Sequence, residues 1–271
     1  MKTSFALSFV FAAAALFSVS TTSEMAQAES KAAAPALTAA QIVAKVAESD
    51  PWGMGGAEVN AKAVITEKSG KTRSLVFDGK SRRTTGSLGK SVITFSAPAD
   101  IAGNKYLQIQ NSSSDDERYL WTPELKRSRR IAGSNRTDSF MGTDFSYADL
   151  DGRDVRNSNS VLKGDENIGK FECYHLIATP TNADAVYGKI EMWVRKDNFV
   201  PLKQVMFDKS GTAVKTLLSR EIQKHGGRWF ITASRMTDMS TNRQTELSMD
   251  KVDRREDIPN DNFSVRALEK N

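Results

Sequence analysis

The residues best suited to binding chemistry lie in one block, Tyr119–Leu150. The block opens on an aromatic strand that ends at Trp121 and breaks at Pro123. Five cations follow: Lys126, Arg127, Arg129, Arg130 and Arg136. Arginine binds phosphate and carboxylate groups through paired hydrogen bonds, so these cations are candidates to contact a lipid headgroup or an acidic partner surface. The alternative interpretation is a solvated loop paired with local acids such as Asp144, Asp149 and Asp151.

A compact run of small and apolar residues, Ser139–Phe145, closes the block. Phe140, Met141 and Phe145 are candidate apolar plugs over the mouth of a cavity. Gly142 permits a tight bend there. The alternative is an Ω-loop or a short helix that packs on a sheet.

Catalytic patterns are missing from the sequence. The two histidines, His175 and His225, fall in a strand and in a glycine turn, and no H-E-x-x-H or G-x-S-x-G motif occurs. The glycine-rich segment 53–56 lacks the Lys-Ser/Thr of a phosphate loop and resembles a hinge. We therefore expect neither an enzyme nor a cofactor or metal. A Ser–His–Asp site assembled from distant residues is the enzymatic alternative.

The N-terminus predicts export. Lys2 precedes an apolar run, Phe5–Val19, and Ala26-Gln27-Ala28 offers the small residues of a cleavage site. This order is typical of a secretory signal peptide, here residues 1–28, and the run is shorter than a membrane span. Residues 29–37, rich in Ala and Pro, are predicted to be a flexible tether.

Composition adds two constraints. The formal net charge is +5, which favours anionic lipid or an acidic partner; export argues against nucleic acid. The single cysteine, Cys173, excludes an intramolecular disulfide. It lies in an apolar strand pattern, so we expect a buried structural thiol rather than a reactive one.

One helix is predicted, beginning after Thr38. Gln41 lies three residues further on and completes a capping box. Ile42, Val43 and Val46 form an apolar stripe at helical spacing, and Asp50-Pro51 ends the helix. We expect this helix to lie across a sheet, either as an ordinary packing element or as a lid.

The rest of the chain predicts strands separated by turn signals. Their regular spacing favours antiparallel meanders in a sandwich or barrel, and the lack of strand–helix alternation argues against a parallel α/β fold. We assign residues 38–271 to a single domain. The predicted strands are 57–66, 72–77, 91–95, 105–111, 117–121, 155–162, 170–178, 189–194, 201–207, 213–219, 229–238 and 244–250.

Several of these strands are apolar on both faces. Met192 alternates with Trp193, and Met206 with Val205. An open antiparallel sheet normally has one wet face, so such strands need cover on both sides. Either a filled core or an apolar cavity meets this need. The cavity candidates are Trp121, Met192, Trp193 and Met206, together with the plugs Phe140, Met141 and Phe145.

The order of several short motifs resembles a known family. The motifs are Pro98-Ala99-Asp100, Tyr119–Trp121, Lys126–Ile131, Ser139–Tyr147, Glu172-Cys173-Tyr174, Met192-Trp193-Val194, Pro201-Leu202-Lys203 and Asn262–Val265. Together they are similar to the LolA-like family of outer-membrane lipoprotein-sorting proteins. The likeness covers nearly all of the chain after the signal peptide, and the block 126–149 departs from the classical pattern.

The resemblance implies a mainly β fold with a few helices (α+β): a strongly curved antiparallel sheet, forming an incomplete barrel that helices close over an apolar cavity. It also implies a periplasmic carrier or chaperone for acyl chains of lipoproteins or lipids. The partners that it suggests are an inner-membrane exporter of the resistance–nodulation–division type and an outer-membrane acceptor. The alternative function is an accessory subunit of such an exporter without lipid cargo.

Overall fold

Thirteen antiparallel strands form one continuous sheet in the computed structural model of the protein, which describes residues 36–112 and 114–270. The strand order is β6-β5-β4-β3-β2-β1-β13-β12-β11-β10-β9-β8-β7. The first and last strands therefore pair in the middle, while β6 and β7 are the two edges. The sheet does not close into a barrel, so the predicted incomplete barrel is confirmed. The predicted signal peptide, and residues 29–35 of the tether, lie outside the described residues.

The elements follow the chain in a simple order. The strands are β1 (Gly56–Thr66), β2 (Thr72–Arg83), β3 (Gly89–Ala97), β4 (Lys105–Ile109), β5 (Glu117–Thr122), β6 (Arg127–Arg130), β7 (Ser158–Ile168), β8 (Phe171–Pro180), β9 (Lys189–Arg195), β10 (Pro201–Phe207), β11 (Ala213–His225), β12 (Arg228–Asp238) and β13 (Arg243–Arg254). The helices are α1 (Ala39–Ser49), α2 (Tyr147–Asp151), α3 (Arg153–Arg156) and α4 (Val265–Leu268). None of these helices is long and apolar enough to cross a membrane.

Two strand predictions need correction. A strand was expected from Val155, but residues Arg153–Arg156 form α3 and β7 begins at Ser158. Strand β6 was not expected at all, since four cations in five residues do not suggest a strand. It pairs with β5 from Tyr119↔Arg130 to Thr122↔Arg127. An edge strand tolerates such charge, because only one side of its ladder is paired.

Helix α1 begins and ends where the sequence predicts. The Thr38 hydroxyl accepts a hydrogen bond from the Gln41 backbone N–H at 3.3 Å, and the Gln41 side chain accepts one from the Thr38 N–H at 2.9 Å. Asp50 ends the helix in a left-handed conformation, with φ of 50°. Ile42 is fully buried against the sheet, so the helix lies across it as expected.

The inner face of the sheet carries two apolar clusters. One joins α1 and the strands β8 to β12 through Leu176, Met192, Met206 and Met236. The other joins β1 to β5 and contains Leu75, Phe95, Tyr106 and Leu120. Leu150 packs against both clusters. The segment that carries Leu150 therefore bridges the two halves of the inner face.

The outer face has smaller clusters of its own. Residues 258–268 cover β4 and β5, where Phe263 packs near Trp121. On the other half of the sheet, Cys173 packs with Trp193 and Leu202. Cys173 is fully buried, and this burial raises the pKa of its thiol. The prediction of a structural cysteine is confirmed.

Candidate functional site

An apolar cavity of about 340 Å³ lies between the inner face of the sheet, helix α1 and the segment after β6. Its size is at the lower end of the range of ligand pockets. The apolar wall comes from distant parts of the chain: Val43, Val46, Ala57, Val59, Ala63, Leu75, Phe77, Ile93, Phe95, Phe140, Phe145, Leu150, Val155, Met192, Met206, Leu217, Leu247 and Met249. This wall suits a hydrocarbon chain, which offers no polar group to bind.

Small side chains in the central strands leave room for the cavity. Ala57 and Ala63 of β1 line it, and so does Gly79 of β2. A β-carbon at Gly79 would come within 2.8 Å of Val59 Cγ2, so even alanine would crowd the neighbouring strand. Larger residues here would fill the space between the two apolar clusters.

Residues 136–156, here called the cover segment, close the cavity on the side opposite the sheet. Phe140 enters the cluster on β1 to β5 and contacts Tyr106 edge-on, at 5.1 Å between ring centroids. Phe145 enters the cluster below α1. Both rings line the cavity. Met141 packs only partly buried against the second cluster and does not line the cavity.

Buried ion pairs attach the cover segment to the sheet. The carboxylate of Asp149 lies 2.7 Å from Lys215 Nζ and accepts a hydrogen bond from the Tyr187 hydroxyl at 2.6 Å. The carboxylate of Asp144 lies 2.8 Å from Arg243 Nε, and it accepts the Thr245 hydroxyl at 2.6 Å. These contacts join the cover to β11 and β13, so it is an integral part of the inner layer.

Arg136 belongs to this buried network. It is 2% exposed, and its guanidinium lies 3.2 Å from Asp151 and 2.8 Å from Asp154. Asp151 also pairs with Arg118 of β5. The prediction that Arg136 contacts a headgroup or a partner is therefore wrong. Acids of the cover segment hold this arginine inside the protein.

The predicted cavity residues divide between the two faces of the sheet. Met192 and Met206 line the cavity. Trp193 follows Met192 directly and must point to the other face. It stacks on His175 at 4.4 Å on the outer face and donates a hydrogen bond to Glu166 at 2.8 Å.

Trp121 also lies on the outer face, in the cluster under the C-terminal residues. The assignment of Trp121 and Trp193 to the cavity is therefore wrong. In both cases the strand alternation places the tryptophan away from the inner face.

The other four predicted cations lie together on or beside β6. Lys126, Arg127, Arg129 and Arg130 are all exposed. Among the described residues none of them forms an ion pair within 4.0 Å, whereas Arg136 forms several. None of the four lines the cavity. They form a basic edge of the sheet that stays accessible from solvent.

Polar residues at one end of the cavity were missed by the sequence reasoning. Ser81, Ser91, Gln108 and Gln110 all line the cavity and come from β2 and β3 and from the end of β4. They come from three separate parts of the chain, so only the strand register shows that they lie together. Across residues 36–112 and 114–270, no three His, Cys, Asp or Glu side chains are grouped so that they could hold a metal ion.

Comparisons with known proteins agree with this architecture. A family model with the description "uncharacterized protein" matches residues 88–270 of this chain. The structure of an outer membrane lipoprotein-sorting protein domain from Vibrio parahaemolyticus is similar over 86% of this chain and 98% of its own, with a TM-score of 0.80 and 23% identity. The chain belongs to the LolA-like family.

Two further structures resemble this LolA-like protein. A DUF1329 family protein from Desulfovibrio piger matches over 85% of this chain and 97% of its own, with a TM-score of 0.78 and 27% identity. A LolA superfamily protein from Nitrosomonas europaea matches over 84% and 98%, with a TM-score of 0.68 and 19% identity. No curated protein matches the chain. The LolA-like protein therefore has the fold of lipoprotein-sorting proteins.

Proposed function

We propose that this LolA-like protein carries acyl chains of lipids or lipoproteins through the periplasm, held in the cavity beneath the cover segment. The observation that supports this most is the cavity itself, which is lined by apolar side chains from both halves of the sheet. A carrier needs no catalytic group, and noncovalent burial of the chain provides the binding free energy.

The size of this free energy suits a shuttle. Burying hydrocarbon contributes roughly 0.8 kcal/mol per methylene. A chain of about fifteen carbons therefore gains on the order of 10 kcal/mol before costs. Lost translational freedom and ordering of the chain offset a large part of this gain, which leaves binding reversible.

Uptake of a fluorescent, uncharged acyl ester tests the proposal. The purified protein, stripped of bound lipid, is expected to bind one probe molecule per chain and to release it when an unlabelled palmitoyl ester of glycerol is added. A protein that shows no uptake over a micromolar range of probe would contradict the carrier function and favour an exporter subunit without lipid cargo.

The basic edge formed by Lys126, Arg127, Arg129 and Arg130 is proposed to meet the anionic headgroups of the donor or acceptor membrane. The triple change Arg127→Glu, Arg129→Glu and Arg130→Glu is expected to slow transfer of bound probe to phosphatidylglycerol vesicles several-fold, since it reverses the local charge. The fold should persist, because these side chains are exposed. Stopped-flow measurements at low and high salt give the transfer rate, and the difference between them shows how much of this rate depends on electrostatic attraction.

A matched variant controls for net charge. Lys62, Lys68 and Lys71 are equally exposed on β1 and the turn after it. Reversing these three lysines to glutamate changes the total charge by the same amount and should leave the transfer rate near wild type. Equal slowing in both variants would show that only overall charge matters and would argue against the basic edge as a contact site.

A further inference from the structure

We propose that the cavity selects amphiphiles whose acyl chain ends in an uncharged carbonyl, as in an ester or amide, and that Gln108 donates the hydrogen bond that recognises this carbonyl. This inference rests on the proposed function and specifies its ligand class. It distinguishes esterified or amide-linked acyl chains from the anions of free fatty acids.

The strand register builds a polar row across one end of the inner face. Ser81 of β2 lies opposite Ser91 of β3, Ser91 opposite Gln108 of β4, and Gln108 opposite Arg118 of β5. All four are buried. The next row along the same strands is apolar, with Ile93, Tyr106 and Leu120. The cavity thus passes from an apolar body to a polar end.

Three buried polar atoms on or beside the polar row have no hydrogen-bond partner among the described residues. They are the Gln108 side-chain nitrogen, the Tyr106 hydroxyl and Arg118 Nε. Gln108 and Tyr106 line the cavity and are 1% exposed, whereas Arg118 does not line it. Burial also raises the pKa of Tyr106, so its hydroxyl stays a donor. Unpaired buried donors cost free energy, and an acceptor on the ligand would remove this cost.

The charges around the cavity show which acceptor fits. The charged residues that line it are Asp50, Lys80, Asp149, Asp151 and Arg156. Each is within reach of an opposite charge: Asp50 with Arg83 at 3.5 Å, Lys80 with Glu58 at 3.4 Å, Asp149 with Lys215 at 2.7 Å, Asp151 with Arg136 at 3.2 Å and Arg156 with Asp116 at 3.2 Å.

Arg118, the charged end of the polar row, is likewise paired, with Asp151. The polar end therefore offers amide and hydroxyl groups beside charges that are already neutralised. A carboxylate inside this cavity would be a buried charge without a counter-ion, which is strongly unfavourable. A carbonyl oxygen needs only a neutral donor, which the Gln108 amide provides.

Two ligands that differ only at the carbonyl test this inference. One is a palmitoyl ester of glycerol and the other is the hexadecyl ether of glycerol, both measured by displacement of a fluorescent acyl probe. The wild-type protein is expected to bind the ester about 3- to 10-fold more tightly than the ether, the range of one net neutral hydrogen bond. Palmitate at pH 8 should bind more weakly than the ester.

The variant Gln108→Leu keeps a similar side-chain volume and removes the donor. It is expected to bind the ester and the ether equally while it retains the ether affinity of the wild type. Gln204→Leu is the matched control, since Gln204 lines the cavity from β10, outside the polar row. This control should keep the preference for the ester.

The outcomes separate this inference from the carrier function. Equal binding of the ester and the ether by the wild type, or tighter binding of palmitate, overturns the carbonyl selection and leaves acyl-chain binding intact. A preference that survives in Gln108→Leu overturns the role of Gln108. Binding of none of the three ligands overturns the carrier function itself.

Discussion

Replacing Arg136 by methionine is expected to lower the free energy of unfolding by about 3–5 kcal/mol, the usual effect of removing one partner from a buried ion pair. The carboxylates of Asp151 and Asp154 are almost fully buried, and Arg136 is their shared partner. Without it, these charges remain inside the protein with too few counter-ions. Urea unfolding, followed by tryptophan fluorescence and circular dichroism, measures the loss.

Arg130→Met is the control for this experiment. Arg130 was grouped with Arg136 by the sequence, yet it is exposed on β6. Its replacement should leave the unfolding midpoint unchanged within error. An Arg136→Met variant as stable as wild type would contradict the conclusion that buried ion pairs stabilise the cover segment.

Filling the cavity is the second change with a large expected effect. Leu247 lines the cavity from β13, opposite Ala63 of β1. In Leu247→Trp the larger ring occupies space that an acyl chain would take. Excluding about two methylenes from the cavity costs roughly 1.6 kcal/mol of binding, so the affinity for the fluorescent acyl ester should fall at least about tenfold.

The neighbouring position gives a matched control. Glu246 lies on the opposite face of β13, is half exposed and pairs with Arg235. Glu246→Trp adds the same ring outside the cavity and should keep wild-type affinity. Circular dichroism and thermal unfolding of both variants check that the fold persists. Unchanged binding by a folded Leu247→Trp protein would place the acyl site elsewhere.

Strand positions and the capped helix α1 could be predicted because they depend on local signals. The signals are the alternation of apolar and polar residues, the turn residues and the Thr38–Gln41 capping box. Each of them involves residues that are close together along the chain. The alternation of side chains between the two faces of a strand also excludes one of the predicted sets of cavity residues. Met192 and Trp193 are adjacent in one strand, so they cannot both line the same cavity.

Burial of charge could not be predicted in the same way. Arg136 and Arg130 lie six positions apart in one basic block, yet one is enclosed and the other is solvent-exposed. The difference depends on Asp151 and Asp154, which lie 15 and 18 residues further along the chain and reach Arg136 only when the cover segment is folded. Similarly, the polar row with Gln108 depends on the register between separate strands. Neither contact follows from the local alternation and turn signals that predict helices and strands.

Lipid analysis of the protein as it is made in the cell tests the central claim most directly. The protein is isolated without detergent from the cells that make it, and its bound species are measured by native mass spectrometry and by lipid extraction. The wild-type protein is expected to retain acyl-chain species near one per chain, and Leu247→Trp to retain far less. A wild-type protein that carries no acyl species, and gains none when incubated with lipid vesicles, would contradict the carrier function.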